Sequence, residues 1–121
     1  MNTKTSIAAL MLAAAAVTAP SAQAHAKIES SQPKADSELQ DAPKEIRIKF
    51  NEALEPAFSK IVLMNAKDAE VALPRIAVDK SDRTVMFTPV PALPTGQYSV
   101  RWSTMTHDGH KAKGQFAFRV K

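Results

Sequence analysis

The sequence predicts an all-β fold, a sandwich of immunoglobulin-like type built from six or seven short strands. Three observations point there. Apolar residues recur at every second position in several short runs, most cleanly in Lys44-Glu45-Ile46-Arg47-Ile48-Lys49-Phe50, where Ile46, Ile48 and Phe50 share a face. Clusters of turn-forming residues separate these runs. Beyond residue 24, no segment keeps a helical period over about three turns.

In chain order, Ala26-Lys27-Ile28-Glu29-Ser30 reads as a short first strand, and residues 33–43 as a polar connection with Asp36 and Ser37 as turn residues. After the Lys44 to Phe50 strand, residues 51–56 turn the chain. Lys60-Ile61-Val62-Leu63-Met64 is apolar on both faces, as expected of a more central strand. Residues 71–78 are ambiguous, because Pro74 confines any strand there to an edge or a bulge. Residues 79–82 turn again, and Thr84-Val85-Met86-Phe87-Thr88 is the next strand. Pro89, Pro91 and Pro94 exclude a helix and keep the following connection extended. Gly96 opens the strand of residues 97–104, with Tyr98, Val100 and the single tryptophan, Trp102, facing inward. Gly114 leads into the last strand, residues 115–120, with Phe116, Phe118 and Val120 inward.

The chain has 121 residues, which favours one domain. Residues 1–24 read as a cleaved secretory signal: Lys4 is positive, residues 7–17 are an apolar run, and Ala22-Gln23-Ala24 offers a small-residue cleavage site. That run is shorter than the roughly 20 residues a membrane span needs, so the mature chain is not expected to cross a membrane. Cleavage after Ala24 makes His25 the first residue of a domain spanning 25–121. Rival sites after Ala26 or Ala19 would discard His25 or leave it internal. No cysteine is present, which removes disulfides, thiolate–metal sites and cysteine nucleophiles. Losing Lys4 with the leader leaves 15 basic residues against 12 acidic ones, scattered along the chain and partly on alternating strand positions. A solvated face fits that pattern better than a nucleic-acid site.

Chemistry concentrates in Thr106-His107-Asp108-Gly109-His110, which holds two of the three histidines; the third is His25. An N-terminal histidine offers its α-amine and its imidazole Nδ1 to one ion as a chelate. On locally extended backbone, Asp108 and His110 share a face, and Gly109 between them neither obstructs an ion nor resists unusual dihedrals. Amine and imidazole of His25, carboxylate of Asp108 and imidazole of His110 form the N₃O set that suits tetragonal copper(II). The same alternation turns His107 to the other side, which favours a supporting or solvent role and leaves ligation open. The bland alternatives are an ordinary Asp-Gly turn with a polar histidine beside it, and a disordered terminus at His25. Trp102 is assigned to the core, and Met64, Met86 and Met105 to packing rather than to a thioether site.

These residues resemble the CopC family of periplasmic copper-binding proteins over essentially the whole mature chain. The resemblance rests on His25 with the Ser31-Gln32-Pro33 turn and on Ile46-Arg47-Ile48-Lys49-Phe50-Asn51-Glu52. It continues through Pro94-Thr95-Gly96-Gln97-Tyr98-Ser99-Val100-Arg101-Trp102, Asp108-Gly109-His110 and the closing Gly114-Gln115-Phe116-Ala117-Phe118-Arg119-Val120. It implies a Greek-key sandwich or barrel that binds copper(II) in the periplasm through His25, Asp108 and His110. It also implies a role in copper resistance or supply beside a membrane partner of the CopD type. Two departures stand out. Residues 64–74 contain one methionine and no histidine, so the methionine-rich copper(I) loop of some members is not expected; and His107 stands where the family usually has a small polar residue.

The expectation is therefore a non-catalytic, monomeric carrier or buffer of copper(II). One rival is a copper oxidase using an N-terminal histidine brace, against which the small size and an occupying Asp ligand both count. The other is a secreted sandwich that serves as an interaction module with incidental histidines.

Overall fold

The computed structural model describes residues 26–121, so the expected leader and His25 lie outside the described residues. Nine strands form two sheets: β1 (Ile28–Gln32), β2 (Ser37–Leu39), β3 (Glu45–Phe50), β4 (Lys60–Met64), β5 (Glu70–Val71), β6 (Ala77–Val78), β7 (Val85–Pro89), β8 (Gly96–Met105) and β9 (Lys111–Val120). One sheet has the order β1-β3-β7-β6 and the other β2-β9-β8-β4-β5. Every pairing is antiparallel except that of β2 with β9. The chain changes sheet after β1, β2, β3, β5 and β7, so the result is a sandwich with two open sheets, not a closed barrel. Among the described residues no helix is long and apolar enough to cross a membrane.

The alternation in the sequence becomes the core. Ile46, Ile48 and Phe50 of β3 are fully buried, as are Leu63 of β4, Met86 of β7 and Val100 of β8. Trp102 meets Phe50 edge-on with ring centroids 5.0 Å apart, and Tyr98 stacks on Phe118 at 5.4 Å. The Tyr98 hydroxyl donates to the Pro94 carbonyl at 2.6 Å, so its one polar atom is satisfied as it enters the core.

The structure departs from the expected elements in four places. β1 begins at Ile28 rather than Ala26, because residues 26 and 27 are occupied elsewhere, as described below. The polar connection contains β2, a three-residue strand that pairs parallel with β9; its residues carry no apolar alternation, and its one apolar residue, Leu39, packs against the core. Residues 70–78, ambiguous in the sequence over 71–78, resolve into β5 and β6, short edge strands of opposite sheets on either side of Pro74, which brings the count among the described residues to nine. Finally, β9 starts at Lys111 and runs through Gly114, which lies opposite Trp102 in the ladder. A Cβ at Gly114 would stand 2.6 Å from Cζ2 of the indole. This glycine gives the tryptophan room within a strand and does not break it. Phe116, expected inward, is half-buried and packs against the core.

Replacing Gly114 with Ala should therefore force the buried indole to shift and lower the unfolding free energy by about 1–3 kcal/mol. Urea denaturation followed by Trp102 fluorescence reads this as a lower midpoint at unchanged slope; an unmoved midpoint would show that the ring yields freely.

Candidate metal centre

β8 and β9 pair without interruption up to Met105↔Lys111, so residues 106–110 close the hairpin. Thr106 continues the inward register of Trp102 and Thr104 and is 1% exposed. Its N–H donates to the His110 carbonyl at 2.8 Å, and the Gly109 N–H returns to the Thr106 carbonyl at 2.9 Å. Gly109 adopts φ 91°, while a Cβ there would meet nothing within 4 Å. The left-handed backbone, not a lack of space, selects glycine at this point.

The loop is thus a tight turn rather than the extended segment that alternation suggested, because the Thr106–His110 bonds fold it back on itself. The turn still brings Asp108 and His110 together. His110 Nδ1 lies 3.0 Å from Asp108 Oδ1, and both side chains are about half exposed. Beneath them the Thr106 hydroxyl donates to the same Asp108 oxygen and accepts the His110 backbone N–H at 3.1 Å. The Thr106 hydroxyl first, and then the His110 side chain, hold the Asp108 carboxyl down at about 2. Asp108 is therefore an anion, facing solvent, at any pH near neutrality. Its support by Thr106 escaped the sequence reading; the signal was the inward alternation Trp102, Thr104, Thr106, which ends a polar residue in the core.

A segment just after β3 straps this loop to the first described residues. Leu54, 2% exposed, forms an isolated bridge with Thr106. On either side the His107 N–H donates to the Ala53 carbonyl at 3.0 Å and the Glu55 N–H to the Met105 carbonyl at 2.9 Å. Glu55 Oε1 also lies 2.8 Å from His107 Nδ1. At the other end of the strap, the Asn51 N–H donates to the Lys27 carbonyl at 3.0 Å. The Asn51 side-chain oxygen accepts the Lys27 N–H at 2.8 Å. Ala26, 5% exposed, is part of the core. The first described residues and the hairpin loop are thus both fastened to residues 51–55.

Of the four predicted site residues, the structure brings Asp108 and His110 into contact and turns His107 to Glu55, away from that pair. His25 lies outside the described residues; its neighbour Ala26 is the buried residue at the end of the strap. Among the described residues no group of three or more His, Cys, Asp or Glu side chains is arranged to hold a metal ion. An ion held by Asp108 and His110 would therefore need further donors from outside that set.

Residues 28–121 match the CopC domain family. The chain is 35% identical over 117 residues to Copper resistance protein C of Pseudomonas syringae pv. tomato, covering 92% of each. It is 30% identical over 114 residues to Protein YobA of Escherichia coli K12, covering 93% of this chain and 92% of that protein. Among solved structures it is similar to PcoC, a methionine rich copper resistance protein from Escherichia coli. The TM-score is 0.70 at 35% identity, covering 81% of this chain and 100% of that one.

Changing Thr106 to Val keeps the shape of the side chain but removes the hydroxyl beneath Asp108. The Asp108 carboxyl should then titrate well above its present value of about 2, toward the ordinary aspartate value of about 3.9. Carbon-detected NMR of the side-chain carboxyl measures this directly, and an unchanged titration would remove Thr106 from its supporting role.

Proposed function

The chain belongs to the CopC family, and from that membership we propose that it is a periplasmic copper-binding protein that carries or buffers copper(II) for resistance and homeostasis. The observation that carries this reading is the Asp108–His110 pair, pre-formed at 3.0 Å on a braced loop. Two donors about 2.0 Å from one ion and at right angles to each other lie about 2.8 Å apart. The pair therefore needs little adjustment to occupy adjacent corners of a tetragonal site.

The remaining corners fall to His25. Removal of residues 1–24 on export leaves its α-amine and imidazole on one residue, bonded directly to Ala26. The anchoring of Ala26 and Lys27 beside the strap supports this, since it fixes where the chain enters relative to the loop. The pairing of His107 with Glu55 supports a role outside the ligand set, steadying the loop. A carboxylate held anionic completes the plane around the ion, which favours storage and transfer over chemistry at an open position. The partners are copper itself and a CopD-type membrane protein, with the carrier acting as a monomer.

Protons compete with the ion for the nitrogen donors, whose ordinary values are about 8 for an α-amine and about 6.5 for an imidazole. Asp108, at about 2, adds nothing to that competition. Copper(II) affinity should therefore fall steadily from about pH 8 to about pH 5; a flat profile would exclude nitrogen donors.

Native mass spectrometry of protein recovered from the periplasm, with one equivalent of copper(II) added, tests the donor set. A species beginning at His25 and retaining one copper supports it. A chain beginning at Lys27, or one that sheds copper as a control protein does, overturns it. In the same assay Asp108→Ala or His110→Ala should cost more affinity than the roughly 10–100-fold typical of losing a supporting partner. His107→Ala should stay within that range.

A further inference from the structure

Four of the basic residues that look scattered in the sequence gather on one face. Across the outer surface of the five-stranded sheet, the register aligns Lys60, Ser103 and Lys113 in one row. Arg101 follows in the next row, and Met105 with Lys111 in the row that adjoins the hairpin loop. Lys60, Arg101, Lys111 and Lys113 are exposed, and among the described residues none of them forms an ion pair.

The other sheet behaves differently. There Arg47 pairs with Glu45 and Asp79, and Lys49 with Asp82. The acids of the five-stranded sheet, Glu38 and Glu70, lie on its two edge strands. Glu38 is already paired with Lys121.

The basic face is also recessed. Two clefts of about 440 and about 570 Å³ lie side by side on it and share Ser103 and Lys113. Between them they are lined by all four cations and by no Asp or Glu. Phe58, 60% exposed, borders the cleft nearest the loop together with Met105.

We propose that this face docks an acidic protein surface, one that presents carboxylates to the four cations around an apolar side chain seated beside Phe58. Unneutralised like charges on neighbouring strands repel each other, and an external anion relieves that repulsion. The cations span three strands, so the anion must be extended rather than a single small ion. The recess with its apolar border fits a protruding chain better than a flat bilayer. Because the row of Met105 and Lys111 adjoins residues 106–110, the partner would sit against the Asp108–His110 loop.

The test uses the copper-free protein, labelled with nitrogen-15 and titrated with an extended peptide in which glutamate alternates with leucine and serine. Amide shifts should cluster in β4, the second half of β8 and the first half of β9. Affinity should fall at least about tenfold as salt rises from about 0.05 to 0.5 M, where screening becomes short-ranged. The double variant Arg101→Glu with Lys113→Glu should abolish binding, and Arg101→Gln with Lys113→Gln should weaken it, both without a lower melting temperature. The proposal is overturned by shifts that are absent or lie elsewhere, or by equal binding of a lysine-for-glutamate peptide. Binding to phosphatidylglycerol vesicles while the peptide stays inert would assign the face to membrane and overturn it too. Copper affinity measured on the same variants should not fall, so loss of the copper reading and loss of this one are told apart.

Discussion

β8 and β9 are paired residue for residue from Gly96↔Val120 to Met105↔Lys111, and side chains in such a ladder alternate strictly between its two faces. Tyr98, Val100 and Trp102 are sent into the core, together with Phe118 and Val120 from the opposite strand. Arg101, Lys111 and Lys113 are sent outward by the same alternation, and Thr106 is left as the last inward residue where the ladder ends. A slip of one residue would exchange the two sets and bury the cations. Trp102 guards against that slip, because only Gly114 among its possible partners leaves space for the indole.

The loop at the end of this ladder is short, and part of its order comes from outside the hairpin. Loops commonly lose fixed geometry because few contacts hold them. Here the buried Leu54 bridges Thr106, and two backbone bonds and the Glu55–His107 contact fasten the strap on either side. The buried Thr106 hydroxyl then fixes Asp108 from below. A carboxylate and an imidazole are thus already held in position, so less ordering would have to accompany binding at the proposed site. The strap also ties Lys27 through Asn51, which makes it the link between the two chain segments on which the proposed site depends.

The features legible in the sequence are those that follow a period. Ile46, Ile48 and Phe50 announced β3 and its buried face, and Tyr98, Val100 and Trp102 announced β8. The features that escaped depend on partners distant in the chain. β2 exists because β9 offers it a free edge, and nothing in Ser37, Glu38 or Leu39 declares that. Gly114 looked like a strand opener because its reason for being glycine sits on another strand. Asp108 and His110 were singled out on type and spacing, yet the supposed extended backbone between them is a turn, closed by Thr106. The basic face was invisible for a related reason. Its cations are separated by up to fifty-three positions, from Lys60 to Lys113, and only the register of three strands makes them neighbours.

Charge divides this end of the molecule. Asp108, held anionic, stands on the loop, while the cationic rows begin at Met105 and Lys111 directly below it. At the proposed site, a divalent ion entering the loop would more than neutralise Asp108 and extend positive potential across the boundary between the two. On the docking proposal, an acidic partner would then favour the loaded form over the empty one. Binding is reciprocal, so the same partner would tighten the carrier's hold on its ion by the same factor. Docking alone therefore cannot release copper. At the proposed site, release would have to come from competition for the donors themselves, either from protons on the nitrogen ligands or from ligands that the partner brings to the loop.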